Sequence, residues 1–231
     1  MRRARASITV TAMSDLLVRD LGRCPYAPVM TLQEELVARK LDGDDADYLL
    51  LLEHEPVYTL GRGADPADLC GADQRLGVSV HRVGRGGGVT FHGPGQLVAY
   101  PILSLTRGGR DVHRYVRQLE DVLLQVCAAF GVAAARREGL AGAWVADRKI
   151  AAVGIGVRRW TTFHGVALNV DPDLRFFEAV VPCRVPGMQV TSLARELRSA
   201  VPPMAAVRAV FEQVFRAVFG YGAAVGEACR T

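Results

Sequence analysis

Lysine is almost missing from this sequence. Of its 28 cationic side chains only Lys40 and Lys149 are lysines, and the rest are arginines. Long apolar runs are missing too. None is longer than Tyr48 to Leu52 ("YLLLL"), which falls far short of the ~20 residues of a membrane span and reads as a buried strand. There is no GxxxxGK[ST] phosphate loop, and no GxGxxG opening a helix, so neither common nucleotide signature is present. CxxC, HxH and HxxxH spacings are absent, which argues against a metal site. The five cysteines, Cys24, Cys70, Cys127, Cys183 and Cys229, are odd in number and scattered. That argues against a disulfide framework and fits a reduced, cytoplasmic setting.

What is present suits a globular enzyme. Half of the 231 residues are hydrophobic and 23% are charged, enough for a sizeable core. The net charge of +4 owes much to Arg2, Arg3 and Arg5. Neither a clustered basic face nor a recognition module for nucleic acid is visible. Two basic pairs, Arg136-Arg137 and Arg158-Arg159, could receive an acidic partner or be solvated surface. Residues 1–13 read as a disordered extension, with Met13 a candidate second start, and 14–231 as one domain. The Arg-rich start has no apolar stretch of secretory length.

Periodicity predicts the elements. "VMTLQEELVARKL" from Val29 to Leu41 has helical spacing, with Lys40 on a surface helix. Tyr48 to Glu53, Val57 to Leu60, Val78 to Val83, Val89 to Phe91 and Gln96 to Leu103 read as strands. Asp111 is a plausible N-cap for the strongest helix, whose apolar face carries Tyr115, Leu119, Val122, Leu123, Val126 and Cys127 and which Gly131 closes. Trp144-Val145, Ile150 to Val157 and Phe163 to Val170 make a β-rich stretch, and a last helix runs from about Pro203 to Phe219. Regular βαβα alternation is absent. The fold class is therefore α/β in the α+β sense: one sheet with helices on it.

The densest signal is "RGGGVTFHGPGQ", Arg85 to Gln96. Glycine loses more freedom on folding than any other residue, so such a cluster implies backbone brought close to something, either a ligand or a tight hairpin. Backbone N–H groups there could meet a carbonyl or developing oxyanion. Cys183, between Pro182 and Pro186, is either a small buried hydrophobe or a nucleophile. Lys149, in "DRK", is either an exposed turn residue or a desolvated lysine whose proton can move, which arginine cannot offer. His92 and His164 sit in matching Phe-His-Gly triplets and are either structural or convergent.

At this point the residues resemble a known family. "RGGGVTFHGPGQLVAYPIL", "RKIAAVGIGVRRWTTFHGVALNV" and "VVPC…VTSL" are similar to the lipoyl(octanoyl) transferases, in the right order and from about Gln33 to Leu193. The resemblance implies the fold of the biotin/lipoate protein ligase catalytic domain, a mixed sheet flanked by helices. It implies an acyltransferase moving an octanoyl group from acyl carrier protein to a lysine on lipoyl domains of 2-oxoacid dehydrogenase E2 subunits and of the glycine cleavage H protein, with no cofactor. A monomer is expected, though nothing in the sequence fixes the oligomeric state. Carried over by position, Cys183 is the acyl-thioester nucleophile and Lys149 lowers its pKa. The substrate segments fall on Arg85, Gly86, Gly87, Gly88, Val89, Thr90, Phe91 and His92, on Ala152, Val153 and Gly154, and on Gly165, Val166 and Ala167, with His164 in support. Ala151, Ala152, Gly154 and Gly156 would leave a slot for the chain. Arg184 departs from the family's usual glycine after the cysteine. Three rivals remain on the residues alone: an ATP-dependent ligase of the same fold, a non-catalytic binding module, and a Cys–His hydrolase.

Overall fold

The computed structural model describes residues 15–181, 188–197 and 200–222. Expectations for residues 1–13, for Cys183 and Arg184, and for Cys229 lie outside them. In chain order the elements are β1 (Leu16–Cys24), α1 (Tyr26–Leu41), β2 (Asp47–His54), β3 (Val57–Leu60), a 3-10 turn (Pro66–Leu69), α2 (Ala72–Leu76), β4 (Ser79–Arg82), β5 (Val89–His92) and β6 (Gln96–Ile102). There follow α3 (Val112–Ala129), β7 (Ala135–Arg137), β8 (Leu140–Val145), β9 (Arg148–Arg158), β10 (Thr161–Asn169), α4 (Arg175–Glu178), α5 (Leu193–Glu196) and α6 (Met204–Phe219).

Seven strands form one mixed sheet in the order β1-β2-β6-β10-β9-β8-β7. Only β1 and β2 pair in parallel within it. Three more, β4-β3-β5, form a second, smaller sheet, so the expectation of a single sheet is corrected. The strands involved are four residues each, too short to reveal their partners by alternation.

Helices cover both faces of the large sheet, which is why the middle of β2, Tyr48 to Leu52, is apolar without a break. Leu49 and Leu51 point into a core with Leu119, Leu123 and Val126 of α3 and Val207, Phe211 and Phe215 of α6. Tyr48, Leu50 and Leu52 point the other way, against Val29, Leu36 and Val37 of α1. Each fully buried leucine contributes roughly 1.5–3 kcal/mol. As expected, the Asp111 carboxylate caps α3, accepting from the Arg114 N–H at 2.9 Å. Cys127 lies buried in that helix's core face.

Three sequence expectations change. Strand β1 was not anticipated: it is an edge strand with charged Arg19, Asp20 and Arg23 among its residues, so its alternation is weak. Helix α1 starts three residues before Val29, with Pro28 in its first turn, where a missing N–H costs no helical bond. Lys40 is not at the surface. Its side chain is 2% exposed and its ammonium lies 2.8 Å from the Asp47 carboxylate.

Candidate active site

A slim cleft of about 50 Å³ lies on the α1 side of the large sheet, under the loop between β4 and β5. Its floor is made by β9 and β10. Their antiparallel register pairs Ala152 with Ala167, Gly154 with Gly165, and Gly156 with Phe163. Successive side chains on a strand alternate between faces. Ala152 and Gly154 therefore face the cleft, and Ala151 belongs to the core with α3 and α6. A Cβ on Gly156 would lie 2.3 Å from the Phe163 ring, so that glycine serves ring packing. The expected slot thus narrows from four small residues to two.

The roof comes from the glycine stretch. Arg85, Gly86, Gly87, Val89, Thr90 and His92 line the cleft, while Gly88 and Phe91 do not. Phe91 points away, its ring stacked on Phe176 at 4.5 Å in the core of the small sheet. The loop is pinned at several points. Gly86 donates to the Ile155 carbonyl at 2.8 Å, Gly63 to Gly87 O at 3.1 Å, and Gly61 to Gly88 O at 3.2 Å. A Cβ at Gly61 would meet Gly87 O at 2.4 Å. The Gly86 N–H is thereby committed to β9. The glycines serve close backbone approach between two segments of the chain as much as approach to a ligand.

Arg85 is 7% exposed. Its Nη2 donates to the Thr59 carbonyl at 2.8 Å and hydroxyl at 2.7 Å, and its Nη1 to Gly86 O at 2.9 Å. Its aliphatic stem covers Gly154, where a Cβ would lie 3.1 Å from Cδ.

A directional chain of hydrogen bonds starts at His92 in the cleft wall. His92 Nδ1 sits 2.7 Å from Gln96 Oε1 and its Nε2 sits 3.4 Å from the Thr59 hydroxyl. Gln96 Nε2 donates to Asn169 Oδ1 at 2.9 Å, and Asn169 Nδ2 donates to the Thr191 carbonyl at 2.9 Å. Burial, then the neighbouring His54, hold the His92 pKa well below its usual value. A neutral ring with both nitrogens engaged organises the site and has no lone pair to spare as a base. The sequence marks Gln96 only as the end of the glycine stretch and gives no role to Asn169; the signal for each is a polar residue at the end of an apolar strand.

Thr191 leads to Lys149. The Thr191 N–H donates to the Lys149 carbonyl and the Lys149 N–H to the Gln189 carbonyl, both at 2.9 Å. Lys149 is 7% exposed, so it is not an exposed turn residue. It lies in β9 and lines the cleft, its ammonium 4.9 Å from the centre of the Trp144 ring. A smaller recess continues past it between Thr90, Ala167, Asn169 and Met188. Upstream, the Val181 N–H donates to the Asp68 carbonyl at 2.8 Å. Val181 is thus tied to the segment before α2, and Gln189 and Thr191 to Lys149.

At the other end of the cleft stand Tyr26, Tyr100 and His164, of which the sequence pointed only to His164. Its φ is +55°, uncommon for a residue with a side chain. Gln33 Oε1, buried on α1, holds that kink by accepting the His164 N–H at 2.8 Å. Burial, reinforced by Arg85, lowers the His164 pKa to about 3. Of the two basic pairs, Arg136 is committed to Glu120 and Asp121. Arg158 and Arg159 lie exposed at the β9–β10 turn. Among the described residues, no group of three or more His, Cys, Asp or Glu is placed to hold a metal, and no helix is long and apolar enough to cross a membrane.

A mixed sheet with a buried lysine lining a glycine-walled cleft defines the class of fold and site, and comparison with known proteins gives the family. The lipoyl protein ligase A/B catalytic domain family matches residues 25–216. In overall fold the chain is similar to a putative lipoate protein ligase from T. acidophilum, with a TM-score of 0.72 at 17% identity, covering 90% of this chain and 86% of that one. An octanoyltransferase of Geobacter metallireducens is 46% identical over 81% of this chain and 86% of its own. One of Citrifermentans bemidjiense is 47% identical over 79% and 87%. The chain belongs to this catalytic-domain family and, within it, to the octanoyltransferases.

Proposed function

We propose that the protein transfers an octanoyl group from acyl carrier protein to the target lysine of lipoyl domains, through a thioester on Cys183. The acceptors would be the E2 subunits of 2-oxoacid dehydrogenases and the glycine cleavage H protein. The observation that supports the reading is the buried Lys149 at the end of the cleft, on the strand to which Gln189 and Thr191 are hydrogen-bonded.

The chemistry follows from the residue types. A free thiol has a pKa near ~8.5 and is mostly protonated at neutral pH, and a nearby ammonium favours the thiolate. The Cys183 thiolate attacks the thioester carbonyl of the donor, and the carrier's thiolate leaves, taking a proton from Lys149. The neutral amine of the acceptor then attacks the enzyme thioester. Its proton passes to Lys149 and Cys183 leaves as thiolate. This is covalent catalysis in two half-reactions. The apolar chain lies along Ala152 and Gly154.

The fold alone would also suit an ATP-dependent ligase, but the relatives at 46–47% identity over most of the chain are octanoyltransferases. Intact mass spectrometry with octanoyl acyl carrier protein and no ATP separates these. The expected result is one octanoyl adduct on the wild type, none on Cys183→Ala, and discharge of the adduct by a lipoyl domain. Modification of a lipoyl domain only with ATP and free acid would overturn the reading in favour of the ligase. Release of free octanoate without modification would favour a hydrolase.

A further inference from the structure

We propose that Asn169 is a catalytic residue, whose side-chain N–H donates to the thioester oxygen as negative charge gathers on it in the small recess beside Lys149. The inference rests on the acyl-transfer reading above and names the group that meets the oxyanion, which that reading leaves open.

The recess past Lys149 has the size and lining for such an oxygen. Its volume is about 20 Å³, close to the ~10–15 Å³ that a single water needs. It therefore suits one oxygen and excludes an alkyl chain. Thr90, Lys149, Ala152 and Ala167 line both the recess and the cleft. A carbonyl carbon at that shared mouth, with its chain in the cleft, has its oxygen in the recess. Phe177, Met188 and Val190 close the recess with apolar surface, and a hydrogen bond to a developing charge is worth most where water is excluded. In the glycine stretch, by contrast, the Gly86 N–H is already committed to the Ile155 carbonyl at 2.8 Å.

Asn169 lines the recess and is 4% exposed. Its amide has one orientation. The Thr191 carbonyl can only accept, so Asn169 Nδ2 faces it at 2.9 Å, and Asn169 Oδ1 faces Gln96 Nε2 at 2.9 Å. Gln96 is fixed in turn, because its Nε2 also donates to the Phe91 carbonyl at 3.3 Å. Asn169 Nδ2 carries two hydrogens. Thr191 takes one, and the other meets no acceptor among the described residues. A donor held this way needs no reorganisation when charge develops.

When the Cys183 thiolate adds to the thioester carbon, a C–S bond forms and the carbonyl π pair moves onto oxygen. Return of that pair breaks the C–S bond to the carrier. Attack by the acceptor amine repeats the cycle, with Cys183 as the leaving group. Asn169 donates a hydrogen bond at both tetrahedral stages and keeps its proton.

The test is single-turnover acylation by octanoyl acyl carrier protein, read by intact mass spectrometry, beside alkylation of Cys183 by iodoacetamide. Alkylation displaces iodide at a saturated carbon and develops no oxyanion, whereas a disturbed Cys183 or Lys149 would slow both reactions. Asn169→Ala should acylate about 10²–10³-fold more slowly, the usual effect of losing one such donor, and alkylate at the wild-type rate. Asn169→Asp keeps the shape and the acceptor toward Gln96 but has no N–H to offer, so it should acylate no faster than Asn169→Ala. Acylation near the wild-type rate in Asn169→Asp overturns the proposal, and so does alkylation that falls in step with acylation in Asn169→Ala. If neither variant keeps the native circular dichroism, the infrared spectrum of the wild-type acyl-enzyme decides. Its isotope-labelled thioester carbonyl should stretch at lower frequency than the same thioester in an apolar solvent, and an unshifted band overturns the donor. Should the wild type accept no octanoyl group at all, the acyl-transfer reading itself fails and the donor falls with it.

Discussion

Lys149 occupies a position that arginine could copy in charge and not in chemistry. It is buried beside the Trp144 ring and its backbone is tied to Gln189 and Thr191. A guanidinium there would keep the cation over the indole and would still favour a thiolate. It could not give up a proton, because arginine stays charged at any working pH. If Lys149 both donates to the departing thiolate and accepts from the incoming amine, Lys149→Arg should lower kcat by about 10²-fold or more, the usual worth of a general acid–base. Formation of the thiolate, read as alkylation of Cys183 by iodoacetamide against pH, should change far less. Turnover close to wild type in this variant would leave Lys149 an electrostatic role and remove the proton-transfer role.

The elements show what sequence could and could not reveal. Helix α3 was legible because its apolar positions repeat at the helical period and Asp111 supplies a side-chain cap. The two long motifs were legible as cleft segments. Which side chains face the cleft was less so: Phe91 and His92 are neighbours, yet one packs under Phe176 and the other over the cleft. Tyr26 and Tyr100 come from α1 and β6, and only the tertiary fold brings them to His164. Lys40 shows the same limit. Nothing near it in sequence predicts that Asp47 will reach its ammonium at 2.8 Å while accepting from Tyr221 OH at 2.8 Å. This buried pair joins α1 to β2 and to the segment after α6. Removing one partner leaves the other's charge in a dry place, a loss of about 3–5 kcal/mol. Lys40→Ala is therefore expected to lower the urea midpoint sharply. Lys40→Met combined with Asp47→Asn should cost much less than the two changes summed. Additive losses in that double-mutant cycle would mean that the two groups act independently.

At the scale of the whole molecule, the cleft is built around neutral histidines, and that ties stability to pH. His54, His92 and His164 are 0%, 6% and 2% exposed. Burial lowers the His54 pKa to about 4 and that of His164 to about 3, and holds His92 well below its usual value. In the unfolded chain each would titrate near ~6.5. Above that pH both states carry neutral imidazoles, and the stability is fully present. As pH falls below ~6.5 the unfolded chain takes up protons that the fold refuses, so stability drains away toward pH 4 and then pH 3. By pH 4 His54 alone would remove on the order of 3 kcal/mol. That is a large part of the ~5–15 kcal/mol a typical domain has. Heat unfolding followed from pH 7.5 to 4 should show a midpoint that is level above ~6.5 and falls steadily below it. His54→Gln, which keeps a polar group between the Cys24 carbonyl and Tyr100 and cannot be protonated, should flatten that fall. A midpoint unchanged between pH 6.5 and 5 would mean that the buried rings accept protons in place, and that the packing around His54 and His164 yields to a charge.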